Sequence, residues 1–175
     1  MGNFYTNVTL LGPGREEVAE FLRQRRWTAY VSPTADRQTV VYDALADEQD
    51  TSRLARVARE LSERFACPAL AVLNHDDSEL WLELYERGAR TAAYDSSSGE
   101  RSGFRALCAA FGRPWALVPL QALFVLPMLF QSWRHGGIAR LLGLPAWSVN
   151  LGYRYLDEAE VILGGPDRAE FVSTR

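Results

Sequence analysis

The run His75, Asp76 and Asp77 is the cluster in this sequence that could do chemistry most directly. An imidazole beside two carboxylates could hold a divalent cation or move a proton, and Asp95 or His135 could complete such a site. Aspartate is also a preferred residue of hairpin turns, and the surrounding polar residues are typical of one. We therefore predict a turn here, and a small-molecule or metal-dependent enzyme acting at this turn stays open as an alternative.

Other reactive arrangements do not occur in the sequence. It contains no Gly-x-Ser-x-Gly elbow, and Gly12-Pro13-Gly14 lacks the residues that complete a dinucleotide fingerprint or a P-loop. All 19 basic residues are arginine, which excludes a catalytic lysine. Cys67 and Cys108 have the apolar neighbours of small buried hydrophobic residues in a reducing cytoplasm. We predict no catalytic residue, no metal site and no cofactor.

A predicted strand over residues 79–86 could present a recognition surface. Its aromatic and acidic residues alternate with three leucines, so each set lies on its own face. If the leucines face the helices of the first half, the aromatic face is either covered by the later part of the chain or open to a partner. Packing within the chain is the interpretation we favour. The candidate partner-binding residues are Trp81, Glu83, Tyr85, His75, Asp76 and Asp77.

Residues 138–156 resemble a helix-turn-helix. An alanine precedes the turn Gly143 by four residues, and Ser148 could open a second, recognition helix. Gly152 would interrupt that helix, and the chain as a whole is acidic, so a DNA-binding regulator is an alternative. Its candidate DNA-binding residues are Arg140, Ser148 and Arg154.

The most apolar stretch runs from residue 115 to residue 130 and is interrupted by prolines. At about 16 residues it is shorter than the roughly 20 that a membrane-spanning helix needs. We predict short buried helices. The arginines around the stretch also suit an anionic surface, so a membrane-surface contact through residues 114–135 is a further alternative.

The first half of the chain alternates between strand and helix patterns. Predicted strands cover residues 5–11, 27–31, 38–43, 69–73, 79–86 and 90–95, and predicted helices cover residues 15–25 and 54–65. This order predicts an α+β fold, a ferredoxin-like split βαβ sandwich extended by one more antiparallel hairpin strand. The apolar strand 69–73 is expected at the centre of the sheet.

Composition predicts one domain. The 175 residues are 47% hydrophobic and 23% charged, with a formal net charge of −3 that does not suit a protein coating nucleic acid. We expect residues 1–98 to form the sandwich and residues 99–175, the C-terminal segment, to form helices packed on it. Residues 101–156 hold six arginines and no acidic residue, so their surface differs from that of the first half.

Six short segments together resemble a group of bacterial hypothetical proteins with no assigned activity. They are Tyr5–Leu10, Val31–Thr34, Thr39–Asp43, Leu73–Asp77, Tyr94–Ser96 and Gly152–Leu156. The resemblance implies a bacterial, cytoplasmic protein and supplies no reaction. In size, acidity and mixed α+β pattern the chain is also similar to small immunity proteins that neutralise toxins.

The function we expect from the sequence is therefore a non-enzymatic protein-binding module, regulatory or immunity-like, in the cytoplasm. A protein partner ranks above DNA and above a membrane surface. The sequence gives no indication of the oligomeric state.

Overall fold

The computed structural model describes residues 3–158 and 165–175, in which eight strands and six helices lie. The strands are β1 (Tyr5–Leu11), β2 (Ala29–Val31), β3 (Gln38–Asp43), β4 (Pro68–His75), β5 (Glu79–Glu86), β6 (Ala89–Asp95), β7 (Arg101–Ser102) and β8 (Val172–Ser173). The helices are α1 (Arg15–Gln24), α2 (Thr51–Phe65), α3 (Phe104–Ala110), α4 (Leu117–Val125), α5 (Gln131–Leu142) and α6 (Tyr153–Asp157).

The strands form one antiparallel sheet in the order β7-β6-β5-β4-β1-β3-β2-β8. The α+β class is therefore confirmed, and β4 lies at the centre of the sheet as its continuous apolar sequence predicts. The predicted strands β5 and β6 continue the sheet beyond β4. The sheet extends further than expected, because β7 pairs with β6 and β8 adds an edge strand to β2. Strands β7 and β8 are two residues long, too short to show a sequence period.

Helices α1 and α2 cover one face of the sheet. Helix α2 begins at the N-cap Asp50, whose side chain accepts a hydrogen bond from the backbone N–H of Arg53 at 2.9 Å. Its apolar side, with Val57 and Leu61 fully buried, packs on sheet residues such as Val8. This packing follows directly from the helical spacing of apolar residues in the sequence.

The C-terminal segment covers the opposite face. Helices α3, α4 and α5 pack on the strands of one half of the sheet, where Leu70, Leu82 and Leu84 are buried. The region around α6 packs on Tyr30 and Tyr42 in the other half. Both faces of the sheet are therefore covered by other parts of the same chain.

The two faces of β5 meet the opposite layers to those considered from the sequence, in which the leucines face the helices of the first half. Leu80, Leu82 and Leu84 contact the C-terminal helices, whereas Trp81 and Tyr85 belong to the cluster under α1 and α2. Both faces of β5 carry large apolar side chains, so its alternation alone cannot tell which layer each face meets.

Within the described ranges, no helix combines the length and the apolar character needed to cross a bilayer. Helix α4, the most apolar of them, has 9 residues.

Candidate functional site

The strand face proposed as a partner surface is mostly buried. Glu83 and Tyr85 are each 7% exposed, and Trp81 is half-buried. The Tyr85 hydroxyl donates to Glu83 at 2.5 Å, and Arg90 donates to the other carboxylate oxygen of Glu83 at 2.5 Å. Burial is the main reason that the pKa of the Tyr85 phenol is raised, and the hydrogen bond to Glu83 adds to it. Of the three residues, Trp81 offers the most surface to a partner.

The segment from His75 to Ser78 is a turn, with both aspartates in the left-handed backbone region that Asp tolerates. His75 is exposed and lies 3.2 Å from Gln49, and Asp76 is exposed beside it. Asp77 instead points to α5, where its carboxylate accepts a hydrogen bond from the backbone N–H of Ser132 at 3.2 Å. The turn therefore fixes the first turn of α5.

The predicted companions of this turn do not complete a metal site. In residues 3–158 and 165–175, no three His, Cys, Asp or Glu side chains come together where they could share a metal ion. The carboxylate of Asp95 accepts hydrogen bonds from the side chains of Ser97 and Ser98 in the turn that follows β6. These bonds hold the pKa of Asp95 below its usual range, although desolvation opposes them.

His135 is the other histidine, and it lies on α5, where it is fully buried against the sheet. Its Nδ1 lies 2.8 Å from the hydroxyl of Tyr5 on β1, and the two rings stack. Burial lowers the pKa of His135 to about 3 and raises that of Tyr5, so both are neutral near pH 7. The pair acts as a buried polar contact between β1 and α5.

Further polar residues of the sheet hold the chain that follows α5. Asn7 donates to the carbonyl of Ser148 at 2.7 Å, Tyr42 to that of Trp147 at 2.7 Å, and Gln38 to that of Gly143 at 2.7 Å. Buried hydrogen bonds of this kind fix the path of an irregular segment. They explain why β1 and β3 carry polar side chains on a covered face.

The two cysteines are buried and free. Desolvation raises the pKa of Cys67 to about 11 and also raises that of Cys108. Neither thiol has the lowered pKa of a reactive cysteine.

The second helix of the helix-turn-helix does not form. After α5 ends, Gly143 is left-handed, Pro145 is extended, and only a 3-10 turn at Ala146–Ser148 follows. Gly152 then starts the five-residue α6. This part of the prediction is wrong because the glycines and the proline end helices here instead of joining two of them.

The candidate DNA-binding residues therefore share no recognition helix. Arg140 on α5 and Arg154 on α6 are exposed, but Ser148 is fully buried. The backbone N–H of Arg154 donates to Asp47 at 2.9 Å, so the start of α6 is anchored to the first half of the chain.

The apolar stretch forms the predicted short helices and buries Ala116, Leu120 and Phe124, but much of the rest of it is exposed. Among the described residues, seven of the eight large hydrophobic side chains that are exposed belong to residues 115–133. They are Trp115, Val118, Val125, Leu126, Leu129, Phe130 and Trp133, and we call them the apolar patch. So many exposed large hydrophobic side chains in one segment are uncommon on a monomeric protein, and surfaces rich in them are typical of interaction sites.

Helix α4 explains how the patch arises. Every residue of α4 except Gln121 is apolar, but only Leu120 and Phe124 are buried against the sheet. Val118 and Val125 lie on its outer side, and Val118 is 72% exposed. A helix with so few polar residues is normally buried on most of its sides, whereas Val118 and Val125 have no covering layer in the described chain.

Arg134 supports the patch from inside. It is buried, and its guanidinium donates to the backbone carbonyls of Leu123 and Leu126 and to the side chain of Gln131. These carbonyls belong to the end of α4 and the residue after it, which lack helical donors. One buried side chain on α5 therefore holds the end of α4 and the start of the following loop.

A shallow apolar groove of about 350 Å³ runs between α4 and α5 beside the patch. Its lining includes Ala122, Leu123, Leu126 and Leu141, with Arg140 as the charged residue. The helices approach closely at Gly137, where an added Cβ would lie 2.9 Å from the Leu123 side chain. The groove and the patch share Leu126 and form one surface.

Comparisons with protein-family models, with curated proteins and with solved structures give no match to this chain. The geometry of its own residues is therefore what indicates a function.

Proposed function

We propose that this chain is a non-enzymatic binding module whose contact surface is the apolar patch. The observation that carries the proposal is the exposure of seven large hydrophobic side chains within one segment, on a chain whose sheet is already covered on both faces. Exposing so much apolar area to water is unfavourable by roughly 25 cal/mol per Å², and binding a partner removes that cost.

We also propose that the central part of the fold is a ferredoxin-like split βαβ unit. The order β4-β1-β3-β2 within the sheet, with α1 and α2 on one face, supports this assignment. In this view β5 to β8 and the C-terminal segment are additions, and the apolar patch belongs to an addition.

A cytoplasmic location goes with the proposal. Two free, buried cysteines are compatible with a reducing compartment.

A protein partner at the strand face or the His75 turn stays a prediction. Trp81 and the exposed His75 and Asp76 are the residues that such a partner could reach. A Trp81→Ser variant tests this surface separately from the apolar patch.

The binding function is tested by capture from a bacterial cell extract that includes its membranes. Immobilised wild type is compared with a Val118→Ser, Leu129→Ser double variant and with Leu45→Ser, which alters an exposed leucine outside the patch. We expect wild type and Leu45→Ser to retain the same protein or lipid material and the double variant to lose it. Identical retention by all three proteins, or none by wild type, would contradict the proposed function.

A further inference from the structure

Resting on the proposed function, we propose that the partner of the apolar patch is an anionic phospholipid surface, on which the chain docks without crossing it. The residue types, the charges around the patch and the groove beside it each support this partner.

The residues of the patch suit a lipid interface. Trp115, Phe130 and Trp133 add aromatic rings to the aliphatic side chains, and Leu129 on the loop between α4 and α5 is 79% exposed. Aromatic and leucine side chains next to arginines are typical of segments that lie in the interface of a bilayer. Helix α4, with 9 residues, can lie along such a surface but cannot span it.

The charges around the patch select an anionic surface. Arg113 lies against Gly143 just after the end of α5, and Arg140 lines the groove one turn earlier, so both sit beside the patch. No ion pair within the described ranges involves Arg101, Arg105, Arg113 or Arg140. The positive charges of Arg113 and Arg140, which lie beside the patch, are therefore available to phosphate groups, each worth about 1 kcal/mol near an anionic membrane.

The same charges disfavour a second copy of the chain as the partner. Residues 101–156 contain no acidic side chain, so a symmetric pair joined through the patch would place arginines near arginines. Like charges facing each other oppose association. An anionic surface meets no such repulsion from residues 101–156, and Asp77 at the start of α5 is an acidic residue that the structure places next to the patch.

The groove gives the lipid a specific place. Its walls are apolar and Arg140 is its charged residue, an arrangement that matches an acyl chain followed by a phosphate. A soluble phosphate would use the arginine but not the groove. A neutral lipid would use the groove but not the arginine.

The test is co-sedimentation of the full chain with vesicles of phosphatidylcholine, alone or with about 30 mol% phosphatidylglycerol. The apolar variant is Leu129→Ser with Trp133→Ser, and the charge variant is Arg113→Glu with Arg140→Glu. Leu45→Ser and Arg87→Glu, at exposed positions outside the patch, are the matched controls. Circular dichroism melting identifies any variant that fails to fold. If the apolar double variant fails to fold, the single Leu129→Ser variant replaces it.

We expect wild type and both controls to bind the anionic vesicles, with weaker binding at high salt. The apolar and charge variants should each bind at least about tenfold more weakly. Equal binding by all variants, or no binding by wild type, would overturn the lipid assignment. The lipid assignment would also be overturned if sedimentation velocity showed that wild type is a dimer and that the Leu129→Ser variant is a monomer.

The capture experiment separates the two proposals. Patch-dependent retention of a protein from the extract, without binding to vesicles, overturns the lipid partner and leaves the binding function standing. If binding depends on the patch neither in the extract nor with the vesicles, both the binding function and the lipid partner are overturned.

Discussion

His135 shows how burial of one side chain couples folding to pH. Its pKa is about 3 in the folded chain and 6.5 in its reference state, so the unfolded chain binds more protons between these values. Stability is therefore complete above about pH 6.5 and falls as the pH drops towards 3. At pH 5 we expect this residue to cost about 2 kcal/mol of unfolding free energy.

The measurement is urea unfolding of wild type and His135→Gln at pH 7 and pH 5. The variant should lose less stability than wild type between the two values, whatever its stability at pH 7. Parallel losses in the two proteins would show that His135 is not buried as a neutral side chain.

Arg134 is expected to determine the stability of the end of α4. An Arg134→Met change keeps an unbranched apolar stem but removes the donors to the carbonyls of Leu123 and Leu126. Leaving these groups unsatisfied should cost about 2–4 kcal/mol in urea unfolding. Arg105→Met, at an exposed position of α3, is the control and should change stability by less than about 0.5 kcal/mol. Equal losses in the two variants would disprove the role of Arg134.

At the scale of elements, the turn after β4 is expected to stabilise α5. Asp77 and Asp76 have nearly the same left-handed conformation, with φ of 54° and 51°. Only Asp77 accepts a hydrogen bond from the first turn of α5. Asp77→Ala should therefore lower the free energy of unfolding by about 1 kcal/mol more than Asp76→Ala. Thermal unfolding of both variants measures the difference, and equal melting temperatures would contradict the capping role.

The elements of the first half were predictable because each follows its own local pattern. Strands β1, β3 and β5 and helix α1 have the predicted bounds to within a residue, since their alternation or helical spacing matches the layer they pack on. The second half depends on distant contacts. The recognition helix considered as an alternative after Gly143 does not form. The glycines and the proline end helices there, and Asn7, Gln38 and Tyr42 on the sheet hold this irregular path by donating hydrogen bonds to its carbonyls.

The candidate site was only partly predictable at this scale. The prolines and the apolar run 115–130 correctly indicate short helices that cannot span a membrane, but composition could not show that their outer side stays uncovered. An apolar helix is buried in most folds, so exposure is visible only once the neighbouring elements are placed.

At the scale of the whole molecule, the chain covers its own sheet and leaves a different apolar surface open. The sequence drew attention to Trp81, Glu83 and Tyr85, yet the layer of α1 and α2 takes up most of that face. Tertiary packing decides which face of β5 meets which helical layer, and the alternation of the strand sequence does not predict it. Among the described residues, most of the exposed large hydrophobic side chains consequently belong to the apolar patch, and this is the surface that we propose for binding.

Hydroxyl-radical footprinting of the free chain, followed by mass spectrometry, tests the exposure of the patch most directly. Trp115 and Trp133, each 61% exposed, should be oxidised much faster than the half-buried Trp27, Trp81 and Trp147. Adding vesicles that contain phosphatidylglycerol should protect Trp115 and Trp133 and leave the exposed Leu45 reactive. If both tryptophans are protected in the free chain, the patch is covered and cannot be the proposed binding surface.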